Sequence, residues 1–255
     1  MAVPVVVTTK DIVELNNRGY SCQEISSRLD ISHSAVYKRL WRRGIQVNVD
    51  RSKFNQDYFK NIDSEHKAYW LGFVFADGCV LDCQYKNKTI QALRIGLSSV
   101  DKEHLFSFLR DIDSDNSLCL CNEGKECRIS LNSKRLVRDL KQLGCVPRKS
   151  LVLRYPNIPV EFDQHFIRGY FDGDGCISFQ NGNARICILG TKHFLSVVCS
   201  KLLASNIKMS QPKQKANIFV IEGAGNRKSA RMAEFLYSDA SVFLQRKKDR
   251  FDAIL

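Results

Sequence analysis

Two nine-residue stretches, Trp70-Leu71-Gly72-Phe73-Val74-Phe75-Ala76-Asp77-Gly78 and Ile167-Arg168-Gly169-Tyr170-Phe171-Asp172-Gly173-Asp174-Gly175, align without a gap, and each ends a largely apolar run in Asp-Gly. Asp77 and Asp174 stand 97 positions apart. The order of elements repeats with the motif. After the first Asp-Gly come a short strand, the strand Ala92 to Leu97, and a helix from Asp101 to Leu109. After the second come Ala184 to Leu189 and a helix near His193 to Leu203. Further strands, Cys127 to Leu131 and Asn217 to Ile221, precede helices at Ser133 to Leu143 and Ser229 to Leu236. Each copy closes on an Arg-Lys pair, Arg148-Lys149 and Arg246-Lys247, 98 positions apart. A period kept in both motif and element order predicts two duplicated lobes.

Each motif reads as a helix. Gly72 and Ala76 then share one face, as do Gly169 and Gly173, so two such helices can approach with backbones nearly touching. Glycine inside a helix costs about 1 kcal/mol relative to alanine, and a close contact would compensate. Gly78 and Gly175 are expected to end the helices as left-handed residues. Asp77 and Asp174 would emerge side by side. Two carboxylates ~4 Å apart repel by about 4 kcal/mol at an effective dielectric near ~20, so a cation belongs there. A hard divalent ion with oxygen ligands fits, and it would bridge carboxylates to phosphate oxygens.

Charge gives the partner. The 39 Lys and Arg residues against 27 Asp and Glu leave a net +12 in 255 residues, which favours a polyanion. No apolar run approaches the ~20 residues of a spanning helix, so nucleic acid is preferred over a membrane. The ten cysteines follow no secretory signal, and the N-terminal Met1 to Val7 has no basic segment before its apolar residues. The thiols are therefore read as reduced and the protein as intracellular, cytoplasmic or nucleoid-associated. Cys119, Cys121 and Cys127 lack the spacing of a zinc site. The string from Asp172 to Gly175 fails as a calcium loop because Cys176 and Ile177 occupy required positions, and Gly223-Ala224-Gly225 reads as a turn before a helix.

Residues 9 to 44 form a separate unit. Thr9 is expected to cap a first helix that Gly19 ends; Ser21 and Glu24 make a capping box for a second; Ser32 caps a third bearing Ala35, Val36 and Leu40 inward. The segment resembles a homeodomain-like helix-turn-helix. The resemblance implies that the third helix enters the major groove, with His33, Ser34, Tyr37, Lys38, Arg42 and Arg43 toward DNA. A three-helix packing module with a solvated basic face is the alternative. The polar stretch Gln46 to Gln56, with Asn48, Asp50, Arg51, Ser52 and Lys53, reads as a linker.

The paired motifs, with the Tyr69-Trp70-Leu71-Gly72 and Phe166-Ile167-Arg168-Gly169-Tyr170 starts, resemble the LAGLIDADG homing endonuclease family over about residues 57 to 255. The resemblance implies an α+β fold of two pseudo-two-fold-related αββαββα lobes, whose saddle-shaped antiparallel sheets straddle duplex DNA, plus the N-terminal all-α helix-turn-helix domain. The expected divisions are 1–46 for that module, 47–60 for a linker, 61–156 for the first lobe and 157–255 for the second. Asp77 and Asp174 become the metal-binding catalytic acids, with Gly78 and Gly175 beside them in the metal set. The cofactor expected is Mg2+, with Mn2+ or Ca2+ able to substitute in binding. The partner is double-stranded DNA, cut on both strands by a monomer. Gly72, Ala76, Gly169 and Gly173 form the lobe interface. Arg94, Arg128, Lys149, Arg185, Arg246 and Lys247 are candidate DNA contacts; Arg128, Lys149, Arg246 and Lys247 are also candidates to orient the nucleophilic water or stabilise the reacting phosphate, the plainer reading of these four being a solvated phosphate-gripping face.

The sequence departs from the family pattern where Phe75 replaces the earlier acid in copy one and Gly173 replaces alanine in copy two. Asp172 is then either a buried cap or a helper carboxylate, the first being preferred. A non-catalytic DNA-binding regulator and an RNA maturase remain alternatives.

Overall fold

The computed structural model describes residues 7–48, 54–86 and 88–253. Asp50, Arg51, Ser52 and Lys53 of the expected linker, and Met1 to Val6, lie outside them.

Three short helices come first: α1 (Thr9–Asn17), α2 (Cys22–Leu29) and α3 (His33–Trp41). Thr8, not Thr9, caps α1, because its hydroxyl and the Asp11 carboxylate form a reciprocal box with the backbone. The Ser21–Glu24 box and the Ser32 cap form as the sequence indicates, and Gly19 turns the chain at φ +97°. Ile12, Tyr20, Cys22, Ile25, Val36 and Leu40 make a small separate core. Asn48 does not belong to a free linker: its amide donates to the Asn16 and Tyr20 carbonyls and ties the chain back onto α1.

Two lobes follow with the same order. The first is α4 (Glu65–Asp77), β1 (Gly78–Tyr85), β2 (Lys88–Ser98), α5 (Lys102–Asp111), β3 (Cys119–Cys121), β4 (Glu126–Asn132) and α6 (Lys134–Gln142). The second is α7 (Asp163–Asp174), β5 (Gly175–Gln180), β6 (Asn183–Gly190), α8 (Lys192–Ala204), β7 (Lys213–Lys215), β8 (Ile218–Ala224) and α9 (Asn226–Tyr237), with α10 (Gln245–Asp252) after it. Each lobe is thus αββαββα. The two antiparallel sheets run β1-β2-β4-β3 and β5-β6-β8-β7. Gly223 and Ala224 lie in β8 rather than in a turn, since they pair with Ile186 and Arg185; only Gly225, at φ +100°, reverses the chain.

The lobes meet along α4 and α7, where the glycines act as expected. A Cβ on Gly72 would lie 2.0 Å from the Phe166 carbonyl oxygen, and one on Gly169 would lie 1.9 Å from that of Tyr69. No side chain can be inserted there without parting the helices. A Cβ on Gly173 would sit 2.3 Å from that of Ala76, so the seam stays tight down to the aspartates. Residues 54 to 62 pack into the first lobe instead of bridging to it, with Tyr58, Phe59 and Ile62 buried in the same core.

Arg135 of α6 joins the three-helix unit to the first lobe. Its guanidinium is buried, binds both oxygens of Asp57 at 3.0 and 2.7 Å, pairs with Glu24 of α2, and lies 4.4 Å from the centre of the Tyr20 ring.

Candidate active site

Gly78 and Gly175 depart from the expected left-handed geometry, with φ near −73° and −81° in extended backbone. Each helix passes straight into a strand. Glycine is needed for room: an added Cβ would come within 2.5 Å of the Val74 carbonyl oxygen in one case and of the Phe171 carbonyl oxygen in the other. This abrupt passage leaves Asp77 and Asp174 as the last helical residues of α4 and α7, at the end of the seam.

The two carboxylates are close enough for the negative charge of Asp174 to act on Asp77. Asp77 is exposed and Asp174 half-buried. Loss of water contact first, and the Asp174 charge second, push the Asp77 carboxyl up to about 6, against the pull of Lys149, Lys247 and Arg246. Asp174 is raised as well, mainly by desolvation, with Lys149, Tyr170 and Lys247 opposing it.

Lys149 and Lys247 are not held out on a solvated face. Both are buried, and they mirror one another. Lys149 Nζ donates to the Ala76 carbonyl at 3.1 Å and to that of Gly78; Lys247 Nζ donates to the Phe171 carbonyl at 3.5 Å and to that of Gly175. The ammonium groups therefore grip the ends of the two motif helices beside the aspartates. The Gly78 and Gly175 carbonyls, expected in the metal set, each accept a hydrogen bond from one of these lysines. Desolvation lowers the Lys247 pKa. Arg246 reaches instead to Asp101, with Nε 2.8 Å from the carboxylate.

Among the described residues no group of three or more His, Cys, Asp or Glu side chains has metal-holding geometry. Two neighbouring carboxylates that solvent can reach nevertheless have the donor chemistry of a hard divalent ion, which takes one or two carboxylates and fills its shell with water and phosphate oxygens.

Asp172 lies in the protein interior. It is fully buried, and it accepts hydrogen bonds from the Tyr69 hydroxyl at 2.8 Å, the Tyr237 hydroxyl at 2.6 Å and the Leu244 amide at 2.7 Å. Its counterpart Phe75 is buried against Phe166. Sequence reasoning overlooked Arg168, a buried charge in the apolar motif. Its guanidinium binds Glu65 at 2.6 Å and the carbonyls of Val242 and Leu236, tying α7 to α4 and to the C-terminal segment.

The remaining candidates fall on two surfaces. Arg94, Arg128 and Arg185 are exposed, on the sheet faces turned from the helices, without an ion pair among the described residues. Arg128 lies across the bare backbone of Gly96, 3.8 Å from where its Cβ would be. His33, Ser34, Tyr37 and Lys38 share the exposed side of α3 with Trp41, which was not anticipated, while Arg42 and Arg43 follow the end of the helix.

No protein-family model and no curated protein sequence matches the chain. Solved structures do. The LAGLIDADG meganuclease I-AabMI bound to uncleaved DNA is similar at a TM-score of 0.54 and 13% identity, over 73% of this chain and 88% of that one. I-DmoI in complex with DNA and Ca gives 0.54 and 15%, over 78% and 99%. The LAGLIDADG homing endonuclease I-LtrWI bound to target DNA gives 0.52 and 12%, over 78% and 90%. Paired αββαββα lobes, helices packed through glycine, and a carboxylate ending each of them are thus found together, and the fold of this chain is that of the LAGLIDADG homing endonucleases.

Proposed function

We propose that the protein is a divalent-metal-dependent endonuclease that hydrolyses both strands of a specific double-stranded DNA site, acting as a monomer whose two lobes each supply one aspartate. The convergence of Asp77 and Asp174 at the end of the glycine seam carries the reading. In it, Asp77 and Asp174 hold Mg2+, for which Mn2+ or Ca2+ can substitute in binding; such an ion lowers the pKa of water and offsets charge on phosphate. Lys149 and Lys247 fix the helix ends so that the carboxylates keep their separation, and their positive charge acts on the carboxylates from beside them. The exposed Arg94, Arg128 and Arg185 grip the duplex from the sheets. The helix-turn-helix unit, with α3 in the major groove, lengthens the contacted site.

The test is incubation of DNA from a pooled target library, or from the gene's own locus, with and without Mg2+, comparing wild type with Asp174→Asn. Cutting that needs the metal and disappears in the variant is the expected result. Tight binding with no cutting under any divalent ion would replace the nuclease with a DNA-binding regulator.

A further inference from the structure

The outer face of the second sheet carries two thiols that the proposed cleavage chemistry does not use. Cys176 of β5 and Cys187 of β6 are direct register partners. Cα atoms of opposed residues in an antiparallel pair lie about 4.5–5.5 Å apart, within the roughly 4.4–6.8 Å span of a disulfide. Their neighbours Ile177, Ile186 and Ile188 are buried, so both thiols stand on the same outward face. Cys176 is exposed and Cys187 half-buried, so one thiol is open to a reagent and the other is held beside it. The equivalent rung of the first lobe pairs Cys79 with Arg94 and can form no such bridge.

Position gives the pair its consequence. Cys176 follows Gly175, whose carbonyl accepts the Lys247 ammonium, and stands two residues beyond Asp174. A covalent tie between β5 and β6 there draws on the backbone that sets Asp174 and Lys247. We propose that Cys176 and Cys187 form a reversible thiol–disulfide site, oxidised by a small disulfide such as oxidised glutathione, whose closure suppresses DNA engagement and cutting at the adjoining centre. The effect on cutting rests on the nuclease reading; the bridge itself does not.

The exchange balances. The Cys176 sulfur attacks oxidised glutathione, the S–S bond breaks, and one glutathione leaves as a thiol after taking a proton. The Cys187 sulfur then attacks the mixed disulfide at Cys176, releasing the second glutathione as a thiol. Two protein thiols have lost two electrons to the oxidant and gained one S–S bond. Exposed disulfides of this kind are the ones that reducing cell compartments can reopen.

The full chain is incubated with oxidised glutathione, then mapped by peptide mass and assayed for DNA affinity and metal-dependent cutting. The expected product is a Cys176–Cys187 bridge, about 2 Da lighter than the reduced form. A tie that shifts Asp174 by even a fraction of ~1 Å lowers cutting, so cutting should fall by about tenfold and return with dithiothreitol. The double variant Cys176→Ser, Cys187→Ser retains the other exposed thiols and should cut equally well before and after oxidation. A bridge confined to Cys119 and Cys121, absence of any bridge, or a Cys176–Cys187 bridge that leaves affinity and cutting unchanged would overturn the inference. Reduced wild type that binds DNA without cutting would count against the nuclease reading alone, and bridge mass and affinity would still decide this one.

Discussion

Asp77 shows how a local environment raises the proton affinity of a carboxylate. Its folded pKa of about 6 exceeds the ordinary carboxyl value, so between those two values the native state binds more protons than the unfolded chain. Metal-free protein therefore gains stability as pH falls through that window, and the repulsion is present in full above it. Asp77→Asn should be more stable than wild type at neutral pH by about 1 kcal/mol, a value reduced because an open carboxylate is screened by solvent, and the gain should fade as pH is lowered to about 4. Urea denaturation at the two pH values checks this. Protons also compete with the metal, so the rise in melting temperature produced by Ca2+ should shrink below pH about 6; a Ca2+ effect independent of pH would count against carboxylate ligation. Asp172 behaves differently because its oxygens are already satisfied. Asp172→Ala leaves two tyrosine hydroxyls and the Leu244 amide without their acceptor and should cost about 3 kcal/mol in denaturant. Undiminished stability with lost cutting would make it a helper carboxylate instead.

At the scale of elements, the seam between α4 and α7 depends on what is missing from Gly72 and Gly169. Gly169→Ala should destabilise by about 3 kcal/mol, because the methyl group meets the backbone carbonyl of Tyr69 rather than a side chain that can swing away. An alanine variant that melts like wild type would mean that the helices are not packed this closely. This contact was legible in the sequence, since two glycines in an apolar helix make sense only at a close approach. The left-handed conformation assigned to Gly78 and Gly175 was not right, because helix-ending glycines usually serve that purpose and nothing local signals that a strand begins at once. The role of Lys149 and Lys247 was also hidden. Their partners lie about seventy residues upstream, and an Arg-Lys pair in a basic chain looks like phosphate-gripping surface. The available clue was spacing, for the two lysines follow Asp77 and Asp174 by 72 and 73 positions. Helix α10, which carries Lys247, and the edge strand β7 have too few apolar residues to announce themselves by periodicity, and the edge strand β3 is too short to do so.

For the whole molecule, the duplication that organises the sequence also organises the fold, with one carboxylate, one buried lysine and one open sheet face per lobe. The N-terminal unit breaks that symmetry. It is clamped to the first lobe through Arg135, Asp57, Glu24 and Tyr20, so its orientation is set by folded structure as well as by its tether. Deleting residues 1 to 46 should weaken DNA binding and flatten its dependence on salt, because fewer phosphates are neutralised. Unchanged affinity and slope in a salt titration would remove the unit from the DNA contact.

The most direct measurement is anomalous scattering from crystals of the DNA complex grown with Mn2+. Manganese bound by the Asp77 and Asp174 carboxylates, next to phosphates of opposite strands, is the expected result. Manganese elsewhere, or phosphates held away from these two residues, would contradict it.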